Sequence, residues 1–240
     1  MIVFPMAGMS RRFAEAGYQV PKYMLPLNGK SIFHHSVSGF SRYFDSDLFV
    51  FVCREESQTV HFIEREAKSL GIRKFEIVCL PAPTAGQAET VYLGIKNISQ
   101  DEDLYIFNID TFRPLFLKPK MEKVADGFLE TFVGTGKNWS NVLGDAEGRV
   151  IRTAEKEELS EYCCTGLYYF KSVHNFCEAF EFAKSTKSTV KGEYYVAPLY
   201  NHLINLAKDV RFTIIARDEV VFCGVPEEFI ELGGALASEL

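Results

Sequence analysis

Three basic residues, Arg11, Arg12 and Lys22, share one short segment with Gly8 and Gly17. The segment lies within "PMAGMSRRFAEAGYQVPKYMLPLNGK", which ends in Gly29 and Lys30 and follows an apolar opening, Met1 to Phe4. The whole chain carries a net charge of -6, so positive charge gathers here against the overall balance. A glycine-containing turn between a strand and a helix can aim backbone N–H groups at phosphate. Arg12 adds a planar fork for phosphate oxygens, and Lys22 adds a mobile point charge. The spacing is neither GxGxxG nor GxxxxGK[ST], so neither the dinucleotide fingerprint nor the P-loop is present. Loops as long as the one from Met6 to Ser31 are usually functional. A solvated loop with incidental bases is the alternative.

Acids and amides elsewhere could complete such a site. Asp110 closes "YIFNID", where an open parallel sheet presents its carboxyl edge to ligands. A carboxylate there could hold Mg²⁺, which takes one or two protein carboxylates plus substrate phosphates. An Asp serving as a turn residue fits equally well. Glu227, in "VVFCGVPEEF", is the second candidate ligand and Glu228 its neighbour. Acids just after Pro226 would also suit a plain helix start. Gly86 and Gln87 precede an apolar-periodic run and could meet a base edge through backbone and amide. Lys156, in "TAEKEE", and Glu193, in "KGEYYVAPLYNHLI", read on their own as a surface pair member and a helix-start charge. His34 and His35 have no carboxylate or Cys at metal spacing and read as packing residues.

The elements that must position these groups alternate. Strands are expected at Met1–Phe4, 48–53, 75–80 and 104–110, with helices at 31–43, 55–70 and 87–97 between them. Such alternation implies right-handed crossovers and a largely parallel sheet. After Asp110 the pattern turns to strands and hairpins, with "DAEG" at Asp145–Gly148 as a turn. Helices near 173–184 and 196–208 and a strand in "VRFTIIARDEVVFCG" follow. No repeat, linker or low-complexity tract is visible, so residues 1–240 are expected to form one domain.

Composition fits a soluble globular protein with a substantial core: 240 residues, 47% hydrophobic and 24% charged. Mild acidity argues against a nucleic-acid partner. Six cysteines show no CxxC or Cys/His zinc spacing and read as core residues of a reducing compartment. No apolar run approaches the roughly 18–20 residues of a membrane span, and Arg11 and Arg12 follow the short apolar opening. A cytoplasmic location without a membrane partner is expected.

The pattern PMAG-x-S-x-RF-x-x-AGY-x-x-PK-x-x-L resembles the signature loop of nucleotidylyltransferases of the sugar-nucleotide pyrophosphorylase and cytidylyltransferase superfamily. The usual opening is AAG or GGxGTR; here it is Met6-Ala7-Gly8. The resemblance runs from Ile2 to Phe229. It implies an α/β fold, a single-domain Rossmann-like mixed, mainly parallel sheet flanked by helices, as in GT-A-like nucleotide-diphospho-sugar transferases. Residues 1–110 would be the nucleotide-binding half and 111–240 the acceptor-binding half. By match, Ala7, Gly8, Arg12 and Lys22 would hold the triphosphate, and Gly86, Gln87 and Ala88 would line the nucleobase pocket. Asp110, with Glu227 where the family more often has Asp, would bind Mg²⁺. Lys156 (followed by Glu157 in place of the customary Pro), Gly166, Glu193 and Asn201 would meet the acceptor.

The implied activity is transfer of a nucleoside monophosphate from a nucleoside triphosphate to a sugar phosphate or other small phosphorylated metabolite, releasing pyrophosphate. The Arg12-Phe13 pair and the short chain resemble cytidylyltransferases more than thymidylyl- or uridylyltransferases, favouring CTP. Products of the family typically feed capsule or other surface polymers. Two rivals remain. A metal-dependent glycosyltransferase of related fold would want a DxD-like pair where this chain has Asn108-Ile109-Asp110, and a non-catalytic nucleotide-binding regulator would tolerate Glu227 and Glu157.

Overall fold

A computed structural model describes residues 1–239 apart from 56–57 and 120–124. In chain order the strands are β1 (Ile2–Pro5), β2 (Pro26–Leu27), β3 (Lys30–Ser31), β4 (Phe49–Arg54), β5 (Phe75–Leu80), β6 (Leu104–Phe107), β7 (Thr111–Phe112), β8 (Gly127–Val133), β9 (Ser140–Gly144), β10 (Val150–Glu155), β11 (Tyr162–Phe170), β12 (Val210–Ile215) and β13 (Val221–Phe222). The helices are α1 (Arg11–Glu15), α2 (Ile32–Ser38), α3 (Thr59–Leu70), α4 (Gln87–Ile95), α5 (Val173–Ser185), α6 (Tyr200–Asn205) and α7 (Pro226–Glu231). No described helix is long and apolar enough to cross a membrane.

The chain forms two compact units, each discontinuous in sequence. The first comprises Met1–Val3, Thr84–Phe107 and Lys118–Arg217; the second comprises Phe4–Pro83, Asn108–Leu117 and Asp218–Leu240. The expected halves, 1–110 and 111–240, therefore do not coincide with the units. Compactness follows contacts, and residues 84–107 pack with the later strands while 218–240 pack with the opening segment.

In the first unit β11 is the organising strand. It pairs antiparallel with β6, β8 and β9, while β9 and β10 form a hairpin. β8 and β12 run parallel, as do β1 and β6 through Ile2↔Tyr105 and Val3↔Ile106. The "DAEG" turn closes the hairpin as expected. Gly148 has φ 77° and donates to Asp145 O, and the Asp145 carboxylate accepts from the N–H groups of Glu147 and Arg149. β11 is nearly all buried, which suits its apolar sequence "YCCTGLYYF" and hides Cys163 and Cys164 alike. α5 covers this layer, with Phe176 edge-on to Phe170, and Phe170 stacks on Tyr200 at 4.3 Å.

In the second unit β4 and β5 pair parallel from Phe49↔Phe75 to Arg54↔Leu80. β4 buries five of its six residues, as a doubly covered strand should. Phe4, Phe33, Phe40, Phe49 and Phe51 fill the core beside it. α2 starts at Ser31, whose side chain accepts from the His34 N–H, and α3 stops at Gly71 with φ 83°. The residue types and periods thus give the expected mixed α/β architecture.

Several boundaries differ. The opening segment is not a bare loop: it holds α1, a 3-10 turn at Lys22–Met24 and the β2–β3 hairpin. Phe13, Tyr18, Leu25 and Leu27 pull it onto a core cluster with Ile32, Phe112, Cys223 and Phe229. The helix expected over 31–43 ends at Ser38 and is followed by a 3-10 turn at Ser41–Tyr43; between them Gly39 packs against the Arg113 carbonyl, where a Cβ would not fit. The helix of 196–208 is a 3-10 turn, Ala197–Leu199, followed by the short α6, and Pro198 lies within that turn. The strand ending in Asp110 stops at Phe107. Of the helix expected over 55–70, residues 56–57 lie outside the described residues.

Ser172 caps α5 by accepting from the Asn175 N–H at 3.1 Å. Ser172→Ala should lower unfolding free energy by about 1 kcal/mol, read by urea denaturation. Ser185→Ala, at the far end of the same helix, should cost less.

Candidate active site

Within the second unit the opening segment meets the acid predicted from sequence. The Lys22 ammonium forms an ion pair with Asp110 Oδ2, both side chains being 21% exposed. Each partner is held by backbone. The Lys22 N–H donates to Ser10 Oγ at 3.2 Å, with Ser10 itself at φ 46°. The Asp110 carbonyl accepts from the Cys223 N–H at 2.8 Å.

Gly224 follows, and a Cβ there would lie 3.2 Å from Asp110 Oδ2 and 3.8 Å from Glu228 Oε2. Glu228 turns back toward the start of its own helix, its Oε2 accepting from Gly224 N–H at 2.8 Å and Val225 N–H at 3.3 Å. Glu227 is exposed on α7. The second acid beside Asp110 is therefore Glu228 and not Glu227, because a helix start turns only one of two adjacent acids back onto the preceding turn. Burial pushes the Cys223 thiol up to about 12, and the charges of Asp110 and Glu228 add to that.

A cavity of about 170 Å³ opens along the same segment, lined by Gly8, Met9, Ser10, Tyr18, Pro21 and Arg54 among others. Nothing lies within 4 Å of a Cβ placed at Gly8, so its backbone stands open. Ala7 beside it is buried. The base on this cavity is Arg54, whereas Arg12 is exposed on α1. Arg54 was missed in the sequence. Its only signal was position: it ends the apolar run of β4.

The first unit holds the remaining predicted residues, most of them in two groups. Gly86 has φ 118°, and a Cβ there would meet Tyr194 O at 2.5 Å and Tyr194 N at 2.7 Å. Only glycine permits that approach. Tyr194 N–H donates to Ala85 O at 2.7 Å, and Ala88 N–H donates to Tyr194 O at 3.0 Å. Gln87 begins α4 and Ala88 is fully buried under it.

The second group surrounds Lys156, which has φ 56° at the end of β10. Its ammonium donates to the Tyr195 hydroxyl at 2.5 Å and lies 4.6 Å from the ring centroid, a cation–π contact. Tyr195 in turn donates to Glu193 Oε2 at 2.8 Å. Beneath it, Glu155 is 8% exposed and accepts from Ser140 Oγ. Burial pushes the Glu155 carboxyl above its ordinary value, and Ser140 and Lys156 only partly oppose this.

Asn201 does not reach this group through its amide. Its Oδ1 accepts from Thr153 N–H and its Nδ2 donates to Thr153 O, both at 2.9 Å, so it clamps β10. Gly166, at φ 97°, sits in the stretch where the β11–β8 register shifts between Cys164 and Tyr168.

The nucleoside-diphosphate-sugar pyrophosphorylase from Vibrio cholerae RC9 is 44% identical to this chain. The match covers 97% of this chain and 99% of that one, with a TM-score of 0.93. The chain belongs to the sugar-nucleotide nucleotidyltransferase superfamily. Two further solved structures share the superfamily fold at low identity. The inositol-1-phosphate CTP transferase from T. maritima has TM-score 0.73, 14% identity and coverage of 97% and 94%. A UDP-glucose pyrophosphorylase complexed with UDP-glucose has TM-score 0.76, 16% identity and 96% coverage of each chain. No family model matches the sequence, and no curated protein matches it significantly.

For a nucleotidyltransferase the donor chemistry at Gly224 suits a hard divalent cation. Asp110 and Glu228 offer carboxylate oxygens flanking one glycine. No group of three or more His, Cys, Asp or Glu that could hold an ion exists among the described residues. Mg²⁺ fits such a sparse set, since it keeps water and takes substrate phosphates as its other ligands.

Two outcomes follow. Gly86→Ala should destabilise the fold by about 1–3 kcal/mol, because the left-handed backbone and the Tyr194 contact both oppose a methyl group; thermal unfolding measures it. Glu155→Gln should stabilise the protein at neutral pH. A carboxyl raised in the folded state contributes stability below its unfolded pKa and loses it as pH rises through the folded one. The advantage of the variant should therefore vanish in acid, below the ordinary carboxylate range, in denaturation curves taken across pH.

Proposed function

We propose that this chain transfers a nucleoside monophosphate from a nucleoside triphosphate to a sugar phosphate or another small phosphorylated metabolite, with release of pyrophosphate. The observation that carries the reading is the Lys22–Asp110 ion pair, with Glu228 at the same glycine. An isolated structural ion pair would not need two acids converging on Gly224, nor a neighbouring cavity floored by open backbone at Gly8.

In this reading an acceptor phosphate oxygen attacks the α-phosphorus, a new P–O bond forms, and pyrophosphate leaves in line. The obstacle is repulsion between two polyanions, so alignment and positive charge do most of the catalysis. Lys22 exchanges its Asp110 partner for triphosphate oxygens, and Gly8 offers backbone N–H. Arg12 and Arg54 add positive charge along the segment. Asp110 and Glu228 are the residues that would hold Mg²⁺, which when bound supplies charge neutralisation on the phosphates. Gly86, Gln87 and Ala88 take the nucleobase. Lys156 orients the acceptor phosphate, with Glu193 and the backbone around Gly166 beside it, and Asn201 holds β10 in place. No covalent intermediate is needed.

CTP is the proposed donor, on the Arg12-Phe13 pair and the short chain. The product would be a precursor for surface polysaccharide, made in the cytoplasm where nucleoside triphosphates are available.

The test is pyrophosphate release from each nucleoside triphosphate with Mg²⁺ and a panel of sugar and alcohol phosphates. Lys22→Ala and Asp110→Ala should each lower turnover by on the order of a hundredfold or more with unchanged circular dichroism. Glu228→Gln should fall strongly and Glu227→Gln should stay near wild type. Wild-type-like release by both Lys22→Ala and Asp110→Ala would remove the mechanism.

A further inference from the structure

Among the six free cysteines, two stand apart by geometry. Cys53 on β4 and Cys79 on β5 are direct register partners, and their Sγ atoms lie 3.5 Å apart. Neighbouring strands run about 4.8 Å apart, inside the Cα range of about 4.4–6.8 Å that a disulfide spans. Closing the bond requires the two sulfurs to approach by roughly 1.5 Å, to about 2.05 Å. Cys79 is partly exposed, so an oxidant can reach one member of the pair, whereas Cys53 is fully buried. Cys163 and Cys164 are chain neighbours buried in β11 and cannot present thiols to each other in this way.

The pair also has a place in the second unit that gives it a lever. The Tyr23 ring is buried beside it, and its hydroxyl lies close enough to feel both thiols and Arg54. Tyr23 directly follows Lys22 in the 3-10 turn, and its ring packs 6.1 Å from Phe62 of α3. Arg54, next after Cys53, lines the cavity of the opening segment.

We propose that Cys53 and Cys79 form a reversible disulfide whose closure loosens the Tyr23 turn that carries Lys22. With a hydroperoxide as oxidant, the Cys79 thiolate attacks the peroxide. An S–O bond forms, the O–O bond breaks, and the first water leaves. Cys53 sulfur then attacks the Cys79 sulfenic acid; the S–S bond forms, the S–O bond breaks, and a second water carries off the Cys53 proton. Two thiols lose two electrons and one peroxide gains them. Cys79 is the thiol an oxidant can reach, so the first attack belongs to it, and burial of Cys53, which pushes its thiol up, makes closure slow. A small-molecule dithiol reverses the reaction by exchange at the exposed Cys79 side. None of this depends on the identity of the substrates.

The experiment treats the intact folded protein with hydrogen peroxide and digests it without reduction. Tryptic fragments 43–54 and 75–96 should appear joined, two hydrogens lighter than their sum, and separate on adding dithiothreitol. Cys79→Ser and Cys53→Ala should each abolish the joined species, with circular dichroism confirming that each variant folds. Amide exchange over residues 18–25, measured without nucleotide, should quicken severalfold in the oxidised protein and return after reduction. A different cysteine pair, Cys79 oxidised without a link to Cys53, or a linked protein with unchanged exchange at 18–25 would each overturn the proposal.

Discussion

One opposite-charge contact ties the opening segment of the second unit to the turn after β6. Lys22 and Asp110 are far apart in sequence, and neither is anchored by a long helix or a wide strand. Lys22 sits on a single 3-10 turn pinned to Ser10, and Asp110 lies three residues beyond the end of β6, pinned to Cys223. The side chains are each about one-fifth exposed, shielded enough to attract and wet enough to exchange partners. Everything assigned to this half depends on that balance. A deeper pair would resist release, and a fully solvated pair would contribute little.

Much of this was legible in the residues. The alternation of apolar runs and amphipathic segments located β4, β5, α4 and α5 closely, because burial on both faces and helical spacing leave strong periodic marks. The signature segment pointed to Lys22 and the place after an apolar run pointed to Asp110, and the two side chains do meet. What stayed hidden depended on contacts across the chain. α1 forms because Phe13 meets Phe229 and Tyr18, a partnership between the two ends of the sequence. The need for glycine at position 39 comes from the Arg113 carbonyl, far away in sequence.

The choice between Glu227 and Glu228 shows the limit most clearly. The two residues are identical in type and adjacent, so no composition or spacing rule separates them. Only the direction of the chain entering α7 does, by folding one carboxylate back over Gly224 and leaving the other in water. Asn201 is a similar case. The family match suggested ligand contact, but both ends of its amide are engaged by the backbone N–H and C=O of one residue of β10, Thr153. Arg54 is the converse: a residue with no motif to announce it, placed on the cavity by the strand it terminates.

The contact at Gly86 has a mechanical consequence for the first unit. Main chain meets main chain there, with Tyr194 hydrogen-bonded to both Ala85 and Ala88 and no side chain between to absorb a shift. The start of α4 and the strip bearing Glu193 and Tyr195 are thus one rigid piece. Because Tyr194 is bonded through its main chain to both Ala85 and Ala88, a shift of that strip would carry the start of α4 with it.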